Sequence, residues 1–316
     1  MQDSPRRRQP YGKEIKMDKI IRCITSDGAV MASAIDSTDI AYKASVIHGT
    51  SPVASAALGR LLSATSMMGA QLKSSKSTVN IRFEGDGELG AFLAVADAYG
   101  NVKGYVTNPG CPTTYYNNGK LNVAGAVGHG TMSVMKDFGE GEPYIGKIPI
   151  VSGEIAEDIT NYYATSEQIP TVCALGVLID KESSQVLLSG GLLIQLLPGA
   201  DDATIDKIEQ NVSTLDSVTT MLAKGMTALD MCKTALQGFE VEVLDEFEVK
   251  YVCGCTREKI EGLIASMPAE EIQQMIDEDH GAEANCRFCN KQYLFTEEEL
   301  KELLSKKQSQ ESGEED

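Results

Sequence analysis

Tryptophan is absent from this 316-residue chain, and aromatic side chains make up only 6% of it. Hydrophobic residues reach 42%, so a core can form, but it must be aliphatic and rich in alanine. Basic residues are outnumbered, 28 Lys and Arg against 46 Asp and Glu, which leaves a net charge of −18. So acidic a surface repels phosphate backbones, and bulk electrostatics argue against nucleic acid as a partner. No apolar run approaches the roughly 20 residues of a membrane span. The arginines near the start are not followed by the apolar stretch of a secretory signal. No membrane partner is expected, and the expected location is cytoplasmic, where thiols stay reduced. The glycines around His129 are not followed by Lys-Ser/Thr and a helix, so a phosphate-binding loop is a poor reading there. No internal repeat is visible.

At this length two or three units are expected rather than one core. Residues 1–16, with Arg6-Arg7-Arg8 and Pro10, differ from the rest and read as a disordered leader or tag. Residues 17–199 read as an α+β domain whose strands cluster instead of alternating with helices. Apolar stretches at 20–24 and 29–35 predict a hairpin. Ser51-Pro52 opens a long helix, with Ser at the N-cap and Pro at the first turn. That helix is crowded with small residues, so it can pack closely on two sides and belongs at the centre of the domain. Further strands are predicted at 79–84, 91–96, 102–106, 121–127, 131–138 and 145–151, with Pro149 marking an edge. Ser152 is expected to cap a helix carrying Ile155, Ile159 and Tyr162. Stretches 172–179 and 186–197 read as central antiparallel strands. Residues 200–248 are amphipathic with little strongly apolar sequence, and read as a helical linker whose docking is marginal. Residues 249–307 form a small terminal module, and 308–316 a disordered acidic tail.

The terminal module holds the strongest chemical signal. Cys253-Gly254-Cys255 and Cys286-Arg287-Phe288-Cys289 are separated by thirty residues. Two close-spaced thiol pairs suit one four-thiolate site, and Zn²⁺ takes four sulfurs in a closed tetrahedron. Three readings stand: a structural zinc clip, a disulfide staple and a redox switch. From Glu240 to Asp316 there are 8 basic and 21 acidic side chains, a balance of −13, which argues against a nucleic-acid-binding finger. A module of about 60 residues often needs a staple. Losing a metal worth roughly 10–16 kcal/mol in apparent binding energy should unfold it. The other cysteines are scattered. Cys23, Cys173 and Cys232 read as small apolar residues, and Cys111, beside Pro112 in a loop, is the one expected to be exposed. His129 and His280 read as turn residues. His48 ends a helix, where a protonated ring is favoured.

Several stretches resemble the bacterial redox-regulated 33-kilodalton heat-shock chaperone family. They are Cys253-Gly254-Cys255-Thr256-Arg257-Glu258, Asp279-His280-Gly281-Ala282-Glu283, Cys286-Arg287-Phe288-Cys289-Asn290 and Phe295-Thr296-Glu297-Glu298-Glu299-Leu300. In the first domain His48-Gly49-Thr50-Ser51-Pro52, Val151-Ser152-Gly153-Glu154-Ile155-Ala156-Glu157-Asp158 and the run from Gly190 to Ala200 also match. The resemblance covers about Met17 to Leu304. It implies an ATP-independent stress-response holdase, not an enzyme, that binds unfolded client proteins, keeps them available for refolding, and pairs as a homodimer when active. It implies that Cys253, Cys255, Cys286 and Cys289 bind one Zn²⁺ in the reduced, inactive state. They then form Cys253–Cys255 and Cys286–Cys289 disulfides as zinc is released and linker and module unfold. The competing readings are a thiol-based redox enzyme, either a peroxidase or a disulfide reductase, and a plain structural zinc module on a binding protein.

Overall fold

The computed structural model describes residues 17–313; residues 1–16, expected to be a disordered leader or tag, and residues 314–316 lie outside the described residues. The described residues form two compact units, one ending at Val252 and the other beginning at Cys253. The class is α+β, with antiparallel sheets in both units.

The first unit runs β1 (Lys19–Thr25), β2 (Val30–Asp36), α1 (Thr38–His48), α2 (Pro52–Gly69), β3 (Thr78–Gly85), β4 (Ala91–Asp97), β5 (Val102–Val106) and α3 (Val123–Val127). It continues with β6 (Gly130–Asp137), β7 (Tyr144–Pro149), α4 (Ala156–Tyr162), β8 (Thr171–Ile179) and β9 (Val186–Leu196). It closes with α5 (Asp202–Ser213), α6 (Val218–Ala223), α7 (Ala228–Ala235) and β10 (Val241–Glu248). The strands form two five-stranded sheets, ordered β10-β1-β2-β9-β8 and β5-β4-β3-β6-β7.

Helix α2 lies between the sheets. Ser51 caps it by accepting from the Ala54 amide, and 16 of its 18 residues are buried, so it is core on every side. Small residues permit this. A Cβ on Gly59 would come within 2.9 Å of Val177 and 3.3 Å of Ala41. Ser63 on α2 shares a buried hydroxyl cluster with Ser37 (2.7 Å) and Ser189 of β9 (3.4 Å), so the polar groups enclosed here are satisfied.

The first sheet is apolar on both faces. Ile20, Ile35 and Leu193 point into the core around α2. Their neighbours Ile21, Ala34, Leu192 and Ile194 point the other way, into a second cluster, as the two-residue strand period requires. Helices α5–α7 cover that second face with Ile208, Val218, Met221, Leu222, Met231 and Leu236. Each of these buried side chains contributes about 1.5–3 kcal/mol. The cover is thin, however: of residues 201–240 only ten are buried, while ordering each backbone residue costs about 1–2 kcal/mol. Capping helps to hold it. Asp201 and Ser217 accept from the Thr204 and Thr220 amides, and Thr227 and Asp230 form a reciprocal capping box.

Several expectations are corrected. Residues 121–127, expected as a strand, contain the short helix α3, because the Asn122 side chain accepts from the Gly125 amide at 2.8 Å and nucleates a turn. Ser152 does not cap α4, which begins at Ala156. Instead buried Asp158 reaches back to the amides of Val151, Ser152 and Gly153 at 2.7, 3.1 and 3.0 Å. Strand β9 is interior, but β8 is an edge. Residues 241–248, assigned to a helical linker, form β10 paired with β1; the Val-Glu-Val alternation suits a half-covered edge strand. Cys111 is 1% exposed, and burial pushes its thiol up. The expected boundary before residue 249 falls after Val252. There Val102 donates to the Lys250 carbonyl and the Val252 amide donates to Val102, both at 3.0 Å.

His48 is also corrected. Its ring is half-buried, with Nε2 at 2.9 Å from the Gly104 carbonyl and 3.2 Å from the Tyr251 hydroxyl. Burial lowers its pKa below the usual 6.5, against the opposing pull of the Gly104 carbonyl. Desolvation outweighs the helix-end field expected to favour the cation. The unfolded chain therefore binds more protons at this residue below about pH 6.5, and stability falls as pH drops through that range. Urea midpoints measured between about pH 7 and pH 5 should fall further for the natural chain than for His48→Gln; parallel falls would contradict the assignment.

Candidate metal centre

The second unit contains α8 (Arg257–Ser266), α9 (Ala269–Gln274), β11 (Gly281–Asn285), β12 (Gln292–Thr296) and α10 (Glu297–Gly313). Its own core is small: Ile264, Ile272, Ile276, Phe295, Leu300 and two further leucines are buried. The tail expected to be disordered from residue 308 continues α10 as far as Gly313, since no helix breaker precedes that glycine.

Two local structures present the four thiols. Cys286 and Cys289 sit on the turn between β11 and β12, whose register pairs Asn285 with Gln292. Within that turn the Cys286 carbonyl accepts from the amides of Cys289 (3.3 Å) and Asn290 (2.8 Å), and the Cys286 amide donates to Lys291 at 2.9 Å. Cys253 and Cys255 lie just before α8, which Thr256 caps by accepting from the Lys259 amide. Lys259 Nζ donates to the Gly254 carbonyl at 2.8 Å, fixing the turn between the two cysteines. On the far side, Thr296 and Glu299 form the expected capping box. Arg257 spans the unit, bonded to the Leu294 carbonyl (2.8 Å) and Glu299 (2.6 Å) over the Phe295 ring.

All four sulfurs lie within 4.8 Å of one another. Two separations run between the segments: Cys253 to Cys286 is 3.6 Å and Cys255 to Cys289 is 3.3 Å. Both greatly exceed a bonded S–S distance of about 2.05 Å. They are close to the ~3.8 Å edge of a tetrahedron with metal–sulfur bonds of about 2.3 Å. The donor set therefore fits a single thiophilic ion, and tetrahedral four-sulfur ligation is compatible with Zn²⁺.

Without a metal the sulfurs ionise unequally. Burial opposes ionisation of Cys255, but the Tyr293 hydroxyl and the neighbouring thiols outweigh it and bring Cys255 down to about 6. Burial raises Cys253, and burial with the neighbouring thiols pushes Cys289 up to about 12. One negative charge is favoured and further ones are resisted, so filling the site with a cation must release protons. Tyr293 was not singled out by motif. Its hydroxyl donates to Cys255 Sγ at 3.2 Å. The hairpin register carried the signal, because Tyr293 pairs with Ala284 just below the cysteine turn. His280 adopts a left-handed turn and faces Glu297 at 3.3 Å; it is not one of the gathered ligands. The four remaining cysteines lie in the first unit.

Residues 18–296 match the family model described as Hsp33 protein. A 33 kDa chaperonin of Acetivibrio thermocellus is 44% identical over 295 residues, 93% of this chain and 99% of that protein. Another of the same name from Clostridioides difficile is 43% identical over 288 residues, 91% of this chain and 98% of that protein. The crystal structure of a 33 kDa chaperonin (heat shock protein 33 homolog) from Thermotoga maritima superposes with a TM-score of 0.84 at 31% identity. It covers 93% of this chain and 100% of the other.

The sulfur geometry generates a direct expectation. The reduced chain should take up one Zn²⁺, or one Co²⁺ with thiolate charge-transfer absorption, and release protons as it does so. Cys253→Ser with Cys255→Ser should abolish uptake, and a strong chelator should melt α8–α10 while leaving the core around α2 folded. Full metal binding by that double variant would overturn the assignment.

Proposed function

This chain belongs to the Hsp33 family, and from that premise we propose that it is a molecular chaperone, an ATP-independent holdase switched on by oxidation of Cys253, Cys255, Cys286 and Cys289. The observation that supports this reading most is the cover on the first sheet. Helices α5–α7 hide an apolar face containing Leu192, Ile194 and Ala34, and then lead through β10 directly to Cys253. A thinly held cover that ends at an oxidisable clip is a two-state element biased by a local covalent event.

When bound, Zn²⁺ holds the four sulfurs as thiolates and supplies much of the folding energy of the second unit. All four sulfurs are then in the form that reacts, because thiolate character governs attack on an oxidant. A thiolate attacks a peroxide oxygen and becomes a sulfenic acid as hydroxide leaves and takes a proton from solvent. A neighbouring thiol then displaces a second water to form the disulfide. We assign the bridges Cys253–Cys255 and Cys286–Cys289. Each lies within one segment, so the segments can part after oxidation, whereas bridges between segments would keep the unit closed. With thiolates removed from the donor set and a small core left alone, the second unit opens. The segment 200–248 then loses its anchor, and the exposed sheet face takes up apolar segments of unfolding cytoplasmic proteins. Two copies pair through the uncovered surface in the active state.

The test follows metal release and suppression of aggregation of a heat-unfolded client before and after treatment with peroxide or hypochlorite. The reduced zinc-bound chain should be inactive and the oxidised chain active, with reversal by a dithiol and zinc. Activity confined to the reduced form would sink the switch. Catalytic peroxide or disulfide turnover without zinc loss would instead favour the thiol-enzyme reading.

A further inference from the structure

Outside the four-sulfur centre, the described residues bring one other pair of thiols together. Cys23 of β1 and Cys232 of α7 are both 0% exposed and both unbridged. Cys23 lies on the outer face of the first sheet, where its strand pairs with Ala32 of β2 and Val243 of β10. Cys232 comes down from α7 onto the same strand, with its sulfur 3.9 Å from the Ile21 carbonyl oxygen. Both thiols are buried in the one cluster that fills the junction between sheet and helices, and each perturbs the other's ionisation. No other covalent tie is available between α5–α7 and the sheet they cover, because Cys111 and Cys173 belong to the core around α2.

We propose that Cys23 and Cys232 are a disulfide-forming site that staples α7 to β1 when the chain meets hydrogen peroxide. The neighbouring Cys232 thiol favours the Cys23 thiolate against the cost of burial. The same contact, with burial, holds Cys232 protonated. In the proposed step Cys23 is the attacking sulfur and Cys232 the resolving one. The Cys23 sulfur attacks one peroxide oxygen, the O–O bond breaks, and a Cys23 sulfenic acid forms with loss of one water. Cys232 then attacks the sulfenic sulfur and its thiol proton leaves with the hydroxyl as a second water. Two S–H bonds become one S–S bond, and two electrons pass to the peroxide. Burial makes this pair slower to react than the clustered cysteines, since peroxide reaches it only as the α5–α7 cover opens and recloses. The bridge fixes the cover in place. If the sheet face is the client surface, a point that rests on the function proposed above, the bridge opposes activation and limits it under prolonged oxidation.

The test uses the full zinc-loaded chain. It is treated with hydrogen peroxide, blocked with N-ethylmaleimide, digested and mapped by mass spectrometry. Over time a peptide pair joined through Cys23 and Cys232 should accumulate, after oxidation of the clustered cysteines. It should be absent from Cys23→Ala and from Cys232→Ala, and either variant serves if the other folds poorly. Full alkylation of both thiols after the clustered cysteines have been oxidised would overturn the proposal, as would bridging of either one to a different cysteine. In the bridged chain, proteolysis within α5–α7 should slow about ten-fold relative to the oxidised variants; equal cleavage would show that the bridge does not hold the cover. Bridge formation with slowed cleavage but undiminished suppression of client aggregation would support the staple and contradict the assignment of the covered sheet face to clients.

Discussion

Four sulfurs gathered within 4.8 Å of one another substitute for the core that the second unit lacks. The unit has a small set of buried aliphatic and aromatic side chains, and ordering about 60 residues costs far more than that set returns. Repulsion among four thiolates makes the site unstable without a cation, and only a cation can keep all four ionised. In the function proposed above, the geometry is held by an interaction that an oxidant removes chemically, whereas packing and hydrogen bonds yield to heat or denaturant. That property makes a structural centre suitable as a sensor.

The first unit has the opposite character on one face and a similar one on the other. Around α2 the packing is continuous, helped by small residues such as Gly59 and by serines that satisfy one another. On the outer face of the first sheet the same strands meet a cover that is mostly exposed along its length. Its helices are short, capped one by one and joined by polar turns. Strand β10 completes the sheet, and the Tyr251 hydroxyl bonded to the Gly104 carbonyl at 2.7 Å ties down the last residues before Cys253. Continuity of the chain makes the cover and the sulfur centre successive parts of one path.

Much of this was legible in the sequence, because local rules and global structure agree where the signals are strongest. The spacing of Cys253, Cys255, Cys286 and Cys289 indicated one shared site. Ser51-Pro52 and Thr296 through Glu299 marked helix starts that their side chains do form. The failures share a cause. Residues 121–127 are apolar enough for a strand, but Asn122 diverts them into a turn of helix. Ser152 has a capping residue's chemistry, yet buried Asp158, from further along the chain, takes the amides. Neighbours in sequence do not reveal the burial of His48 and Cys111, which partners distant in sequence provide. Residues 241–248 alternate like a strand, but pairing with β1 more than 200 residues away cannot be read from that alternation. Tyr293 became part of the site only through hairpin register.

The central claim is that the state of the four-sulfur clip decides whether the outer face of the first sheet is covered. Amide hydrogen exchange measures this segment by segment. It is best done on Cys23→Ala, in which the second thiol pair cannot form a bridge. After peroxide treatment with loss of zinc, protection should collapse in α5–α7 and β10 and persist in α2 and β9. Unchanged protection of α5–α7 after the clustered cysteines are fully oxidised would contradict the account.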